Sequence, residues 1–294
     1  MGTMADLVAD TKRQVYGALS EQINLIAAPA TAGATSIVLQ YDVSGITQGK
    51  IVSSGLNVWW VQGVDPTSNT IYVVPGFDNS PKNAVATGDI VTIHPRVTTW
   101  ALFDRLNKEI LRLSAPENGL YRELDSTSAI DPTWQTYDIP TADSGFVSIL
   151  RVRYRQPGSP DLWIDLPKKA YEVQESPASV RVRLRRGVPV GGLLQFLYAA
   201  PFSKATALTD DLLTVCGVPE SMQDIPVLGA AYRLIRTTES QRNQLGSQGD
   251  TRRPSEVPGM VNLQTSQLIE RDYLRRVQEE SGRLISRTPY NRSI

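Results

Sequence analysis

Histidine and cysteine are almost missing: His94 and Cys216 are the sole examples in 294 residues. One cysteine excludes an intrachain disulfide, and Cys216 reads as a small buried hydrophobe. With one histidine, any Ser-His-Asp or Cys-His site would have to use His94, which stands in "TIHPR" at the end of a strand-like run, and the nucleophile motif G-x-S-x-G does not occur. One His and one Cys also fall short of a typical zinc set. No apolar run approaches the ~18 residues of a membrane span, and "MGTMADLVADTKRQVYGALSEQ" lacks a basic region followed by an apolar one. Neither a leader peptide nor membrane association is expected. Net charge is +0, which gives no long-range pull toward nucleic acid. "GITQGK", Gly45–Lys50, is one residue too short for a phosphate loop and has Ile51 where Ser or Thr belongs, so it reads as a β-turn. "DVSGITQGKI" has no calcium-loop register. Asp125 and Asp131 in "LDSTSAIDPTW" are a carboxylate pair in what reads as a loop. No catalytic residue, cofactor or metal is expected, and the chain is not expected to be an enzyme.

Lysine is missing after Lys204, although arginine is abundant there. Arginine is favoured where planar, bidentate contacts to carboxylates form, as at protein interfaces. Arg233, Arg236, Arg242, Arg252 and Arg253 outnumber Glu239 and Asp250 in this region. At its centre lies "QLGSQGDTRRPSEVPGM", residues 244–260, which is longer and more polar than a helix hairpin needs. It reads either as an exposed loop or as an arm at an interface, and the arginine preference favours the arm.

Hydrophobic periodicity divides the chain. Leu7, Val8, Val15, Leu19, Ile23 and Ile26 recur at helical spacing, which predicts a helix over 5–26, stopped by Pro29. β-branched and aromatic residues then alternate through "TSIVLQ", "KIVSS", "NVWWVQGV", "TIYVV" and "GDIVTIHP", with turn signals at Ser44-Gly45, Asp65-Pro66 and Ser68-Asn69. Some five short strands predict a small barrel or sandwich. "TTWALFDRLNKEILRLSAPENG" returns to helical period, with Leu102, Phe103, Leu106, Ile110 and Leu113 on one face and Thr98 or Thr99 as N-cap. From Tyr137 strands resume. "VRVRLRR" alternates, with Val180, Val182 and Leu184 facing a core and Arg181, Arg183 and Arg185 facing water. "LTDDLLTVCGVP" is expected to be a helix capped at Thr209. "IPVLGAAYRLIRTTESQRNQL" carries Leu228, Ala231, Leu234 and Ile235 at helical spacing. The last helix buries Ile269, Tyr273, Val277 and Leu284, with Arg271, Arg275, Arg276, Glu279 and Glu280 covering the rest. No helical stretch is stable alone. The expected fold class is therefore α+β, a discontinuous helical bundle with two inserted all-β modules, a small barrel and a β-sandwich. The expected divisions are an N-terminal bundle helix (1–30), the barrel-like module (31–98), a bundle helix (99–120), the sandwich (121–204) and C-terminal helices (205–294) with a polar arm at 244–260.

Residues 49–96 resemble a module recurrent in structural proteins of tailed bacteriophages, on Gly49, Ile51, Val61, Val64, Asn69, Gly76, Ala84, Gly88, Asp89 and Val91. The usual histidine before Gly-Asp is replaced here by Ala86 or Thr87. The C-terminal stretch "DIPVLGAAYRLIRTTESQRNQ…EVPGMVNLQTSQLIERDYLRRVQEESGRLISRTP" resembles the helical end of phage head-to-tail adaptor (connector, neck) proteins. That resemblance implies a structural virion protein, assembled in host cytoplasm. It implies a homo-oligomeric ring, a dodecamer, joining the portal protein to a downstream neck or tail protein, with DNA passing through the lumen without specific contact. The candidate partner-interface residues are Arg242, Arg252, Arg253 and Glu256 on and beside the arm, and Arg271, Arg275 and Arg276 on the last helix. Two other roles stay open: a minor tail or baseplate protein, and a receptor- or carbohydrate-binding module using Trp134, Tyr154, Trp163, Tyr171 and Tyr198.

Overall fold

The computed structural model describes residues 2–16, 21–131, 135–139, 145–158, 162–176, 179–185, 191–247 and 261–287. The chain forms two compact units, one of 1–109, 205–213 and 219–273, the other of 110–204, 214–218 and 274–294. Both are discontinuous in sequence.

In the first unit, helix α1 (Met4–Tyr16) starts on a reciprocal cap. The Asp6 carboxylate accepts from the Thr3 N–H and hydroxyl, both at 2.8 Å, and the Asp6 N–H donates to Thr3 Oγ1 at 3.3 Å. The helix is described to Tyr16, and Gln22–Leu25 is a strand, β1, not the continuation expected to residue 26. The reason is tertiary: β1 pairs antiparallel with the last strand of the barrel. Its inward positions are Asn24 and Ile26, and Ile23 faces out, so its pattern does not advertise a strand. The other barrel strands are β2 (Ser36–Val38), β3 (Ile51–Ser54), β4 (Asn57–Asp65), β5 (Thr70–Pro75) and β6 (Ile90–Ile93), in the order β1-β6-β3-β4-β5-β2. The two outer strands meet. Ala27 N–H donates to Val38 O at 2.9 Å and Gln40 N–H to Leu25 O at 2.8 Å, which closes the sheet on itself. Asn24 holds the closure, with its amide donating to Tyr41 O at 3.1 Å and its oxygen accepting from Tyr41 N–H at 3.0 Å. The interior is filled by Ile37, Val52, Val61, Ile71, Val73 and Val91, among others. The β4–β5 turn is built as expected: Asp65 accepts from Thr67 N–H and Ser68 Oγ, and Asn69 supplies a left-handed φ of 50°.

The unit's helices come from distant segments. Helix α2 (Thr99–Leu113) opens on Thr98, whose Oγ1 accepts from Ala101 N–H at 3.1 Å, as expected of that cap. Its apolar face is buried, with Leu102, Phe103 and Leu106 in the first unit and Ile110 and Leu113 in the second.

In the second unit, β7 (Arg122–Ala129), β8 (Thr136–Ile139), β9 (Ser148–Arg155), β10 (Trp163–Asp165), β11 (Tyr171–Ser176), β12 (Ser179–Leu184) and β13 (Leu193–Ala200) form two sheets. The orders are β10-β9-β13-β7 and β11-β12-β8. Between them lie Tyr137, Val152, Val182, Leu194, Phe196 and Tyr198. β7 corrects the reading of "LDSTSA" as a loop: it is an edge strand in which Asp125 and Thr127 are exposed and Ser126 and Ser128 take the half-buried alternate positions. The β12 alternation holds, with Val180, Val182 and Leu184 buried and Arg181, Arg183 and Arg185 exposed.

"LTDDLLTVCGVP" is not a capped helix. Asp210 instead accepts from Thr206 N–H at 2.7 Å and Ala207 N–H at 2.9 Å, fixing a turn, and Met4 N–H donates to the Asp210 carbonyl at 3.0 Å. Only Leu212–Cys216 turn, as one wide π-type turn that buries Leu212 and Cys216. Helix α3 (Asp224–Ser247) and helix α4 (Val261–Arg287) follow. In the first unit α1 packs along α3. On α3 Ile225, Pro226, Gly229, Ala230, Ala231 and Tyr232 are buried, and of the expected stripe Ala231 is buried while Leu228, Leu234 and Ile235 are half-buried.

Candidate subunit interface

In the first unit α3 and α4 form an antiparallel pair. Tyr232 and Tyr273 rings lie 5.6 Å apart, Ser266 Oγ donates to Tyr232 O at 3.0 Å, and Arg236 meets Glu270 at 3.6 Å. Between α2 and α3 sits a buried ion pair: Arg233 Nε is 3.2 Å from Glu109 Oε1, with the Glu109 side chain 2% exposed and that of Arg233 23%. The Arg233 guanidinium also lies over the Tyr232 ring, 4.9 Å from its centre. Gly229 allows this approach, because a Cβ there would be 2.9 Å from Glu109 Oε2 and 3.2 Å from Tyr273. Glu109 was not singled out in the sequence. The available signal was its place on the apolar side of α2, three residues after Leu106.

The candidate interface residues fall into two groups. Arg252, Arg253 and Glu256 lie outside the described residues, as does the side chain of Arg242, whose backbone is in α3. Arg271, in the first unit, is exposed beside Leu268, which is 60% exposed. In the second unit Arg275 is exposed, with its Nε 4.0 Å from Glu279, and Leu274 is 50% exposed. Arg276 is held within its own helix, by Glu279 at 2.7 Å and Glu280 at 3.3 Å. Glu280 does not belong to the wet face where it was expected. It is 2% exposed, on the stripe of Val277 and Leu284, and Arg276 and Arg283 neutralise it.

The barrel carries apolar side chains outward. Ile51, Trp60 and Val74 are direct cross-strand neighbours on β3, β4 and β5, and Val74 and Tyr72 are 37% and 48% exposed. On β1 and β6, Ile23 and Ile90 are 61% and 58% exposed. The sequence pattern puts Ile23 on the apolar face of a helix, so this surface is not visible in the sequence.

Other candidates resolve plainly. Tyr171 and Tyr198 are core residues of the sandwich, at 8% and 3% exposure, and burial pushes the Tyr171 phenol up. They cannot stack on a sugar, and Trp134 lies outside the described residues. His94 is exposed, in a left-handed conformation with φ 49°. Asp125 accepts from Gln195 Nε2 at 3.1 Å and faces solvent. Among the described residues no group of three or more His, Cys, Asp or Glu is placed to hold a metal ion, and no helix is long and apolar enough to cross a membrane.

No protein family and no curated protein matches the chain. Among solved structures, it is similar to a chain of the neck of an empty gene transfer agent particle computed with C6 symmetry, at 13% identity, TM-score 0.24, over 57% of this chain and 77% of that one. A chain from the virion of a native gene transfer agent particle matches at 13% identity and TM-score 0.24, over 59% and 76%. A chain from the neck of the native particle computed with C12 symmetry matches at 12% identity and TM-score 0.23, over 56% and 81%. Likenesses of this size carry no argument about fold or function.

Proposed function

We propose that this chain is a non-enzymatic structural subunit of a phage-like virion, a ring-forming adaptor in the neck between portal and tail. The observation that carries an assembling role is the uncovered apolar surface: Ile23, Tyr72 and Ile90 on the barrel, Leu268 and Leu274 on α4, each 48–61% exposed on otherwise well-packed elements. The narrower reading, a neck adaptor, is supported by the phage-module and adaptor-like stretches quoted from the sequence. In this reading the arm at 244–260 reaches a neighbouring subunit or the portal, and Arg252 and Arg253 pair with carboxylates there. A closed ring repeats one such contact around its axis, so a modest contact suffices.

Negative-stain microscopy of the purified chain, alone and mixed with portal protein, tests this. Rings, and co-migration with portal, are expected. Deleting 246–258 is expected to leave a folded chain that does not join the neck. A chain that stays single at high concentration and ignores every virion component would sink the proposal.

A further inference from the structure

The two sheets of the sandwich treat their arginines differently. On the three-stranded sheet two of the three outward arginines have carboxylate partners on neighbouring strands: Arg181 Nε is 2.7 Å from Asp138, and Arg185 is 3.4 Å from Glu172. On the four-stranded sheet charge is sorted into columns. Strand β9 presents Arg151, Arg153 and Arg155 at alternate positions, on the side opposite the core residue Val152. Two strands away, edge strand β7 presents Glu123 and Asp125 on the same outer face. Between them β13 contributes Leu193, Gln195 and Leu197, all partly exposed. Two strand spacings are about 9.6 Å, too far for a direct ion pair. Accordingly Arg151 makes no ion pair among the described residues, and Asp125 accepts only from Gln195. Arg153 and Arg155 bracket the Trp163 ring, at 6.0 and 5.5 Å from its centre, which keeps both guanidiniums on the face.

We infer that this face docks on the same face of a second copy of the chain, about a two-fold axis running along β13. The rotation exchanges left and right across the axis, so the arginine column of each copy comes over the carboxylate column of the other. Leu197 is the direct neighbour of both Arg151 and Asp125, so these two share one row at equal distances from the axis. The rotation therefore places Arg151 of each copy over Asp125 of the other, twice per pair, while Leu193 and Leu197 meet their counterparts in the middle. An isologous contact needs this self-complementarity. A polyanion such as DNA fits the face less well, since Glu123 and Asp125 would repel it. Four short strands bury a small area, so the pair belongs to the weak class of interfaces, below about 1,200 Å² in total. A two-fold contact is distinct from the head-to-tail contacts of a ring and does not rest on the neck assignment.

Sedimentation velocity of the full-length protein from low to high micromolar concentration tests this, with circular dichroism confirming that each variant folds. The wild type is expected to show a concentration-dependent dimer, weakened about tenfold when salt is raised to 0.5 M. Arg151→Glu alone and Asp125→Arg alone are each expected to weaken it at least about tenfold, and the double variant to restore it to within about threefold. A wild type that stays monomeric, a dimer indifferent to the single swaps, or a double variant no better than the singles would overturn the inference. So would a monomer whose Arg151 instead binds duplex DNA, read by a gel shift lost in Arg151→Glu. Ring formation is read separately by microscopy, so either result can fail alone.

Discussion

Glu109 and Arg233 show how one glycine sets a helix packing. At Gly229 a methyl group would improve helix propensity by about 1 kcal/mol, but it would press on the Glu109 carboxylate and the Tyr273 ring. The clash wins, because both neighbours are buried and cannot move aside. Gly229→Ala is expected to lower stability by about 1–2 kcal/mol in urea unfolding. Glu109→Ala, which leaves the Arg233 charge without its carboxylate, costs about 3 kcal/mol, the lower end for a buried pair because Arg233 still reaches water. Asp210 makes a different kind of contribution. Its carboxyl is held below the ordinary value of 3.8 first by the Ala207 N–H, then by the Thr206 N–H, and Asp6 is held down likewise by Thr3. A folded-state pKa below the unfolded one adds stability that is fully present above the unfolded value and is lost as pH falls through the lowered one. Docking of the N-terminal segment should therefore weaken below about pH 4. In Asp210→Asn that pH dependence is expected to shrink, read by hydrogen exchange at the start of α1 between pH 5 and 3.

At the level of elements, β12 separates structural from superficial residues within one strand. Val182 is 0% exposed between the sheets, and its neighbour Arg183 is exposed. Val182→Asp is expected to cost more than about 4 kcal/mol, because it buries an unpaired carboxylate. Arg183→Asp is expected to stay within about 0.5 kcal/mol, and a thermal melt of both variants reads the contrast. This alternation was legible because both determinants, period and polarity, lie in seven consecutive residues. β1 was not legible. Leu19, Ile23 and Ile26 mimic a helical face, while the inward Asn24 is held there by its bonds to Tyr41, seventeen residues away. β7 was hidden for a similar reason, since an edge strand with a wet face looks like a polar loop until β13 pairs with it.

For the molecule as a whole, the chain returns repeatedly to surfaces made earlier. Asn107 on α2 both donates to Ala205 O at 3.1 Å and accepts from Ala205 N–H at 2.8 Å, binding a residue 98 positions later. Such contacts build cores from segments that cannot fold separately. The side chains left over after that packing are what assembly has to work with. Leu268 is 60% exposed on α4, so Leu268→Glu should leave the melting temperature within about 2 °C and, under the proposed adaptor role, still reduce co-sedimentation with portal protein. Loss of folding without loss of assembly surface, or unchanged incorporation, would argue against α4 as a contact.

Local pattern alone decided α2 with its Thr98 cap, the β4–β5 turn, the valine–arginine alternation of β12 and the Ile269–Leu284 stripe, because each is set by residues within a few positions of one another. Tertiary structure decided the rest. It closed the barrel with a strand taken from beside the first helix, drew Glu109 and Glu280 into buried ion pairs, and placed the arginines of β9 opposite the carboxylates of β7 across an intervening strand. These outcomes depend on which distant segments become neighbours, and a burial or pairing energy shared by two remote stretches leaves no trace in the periodicity of either one.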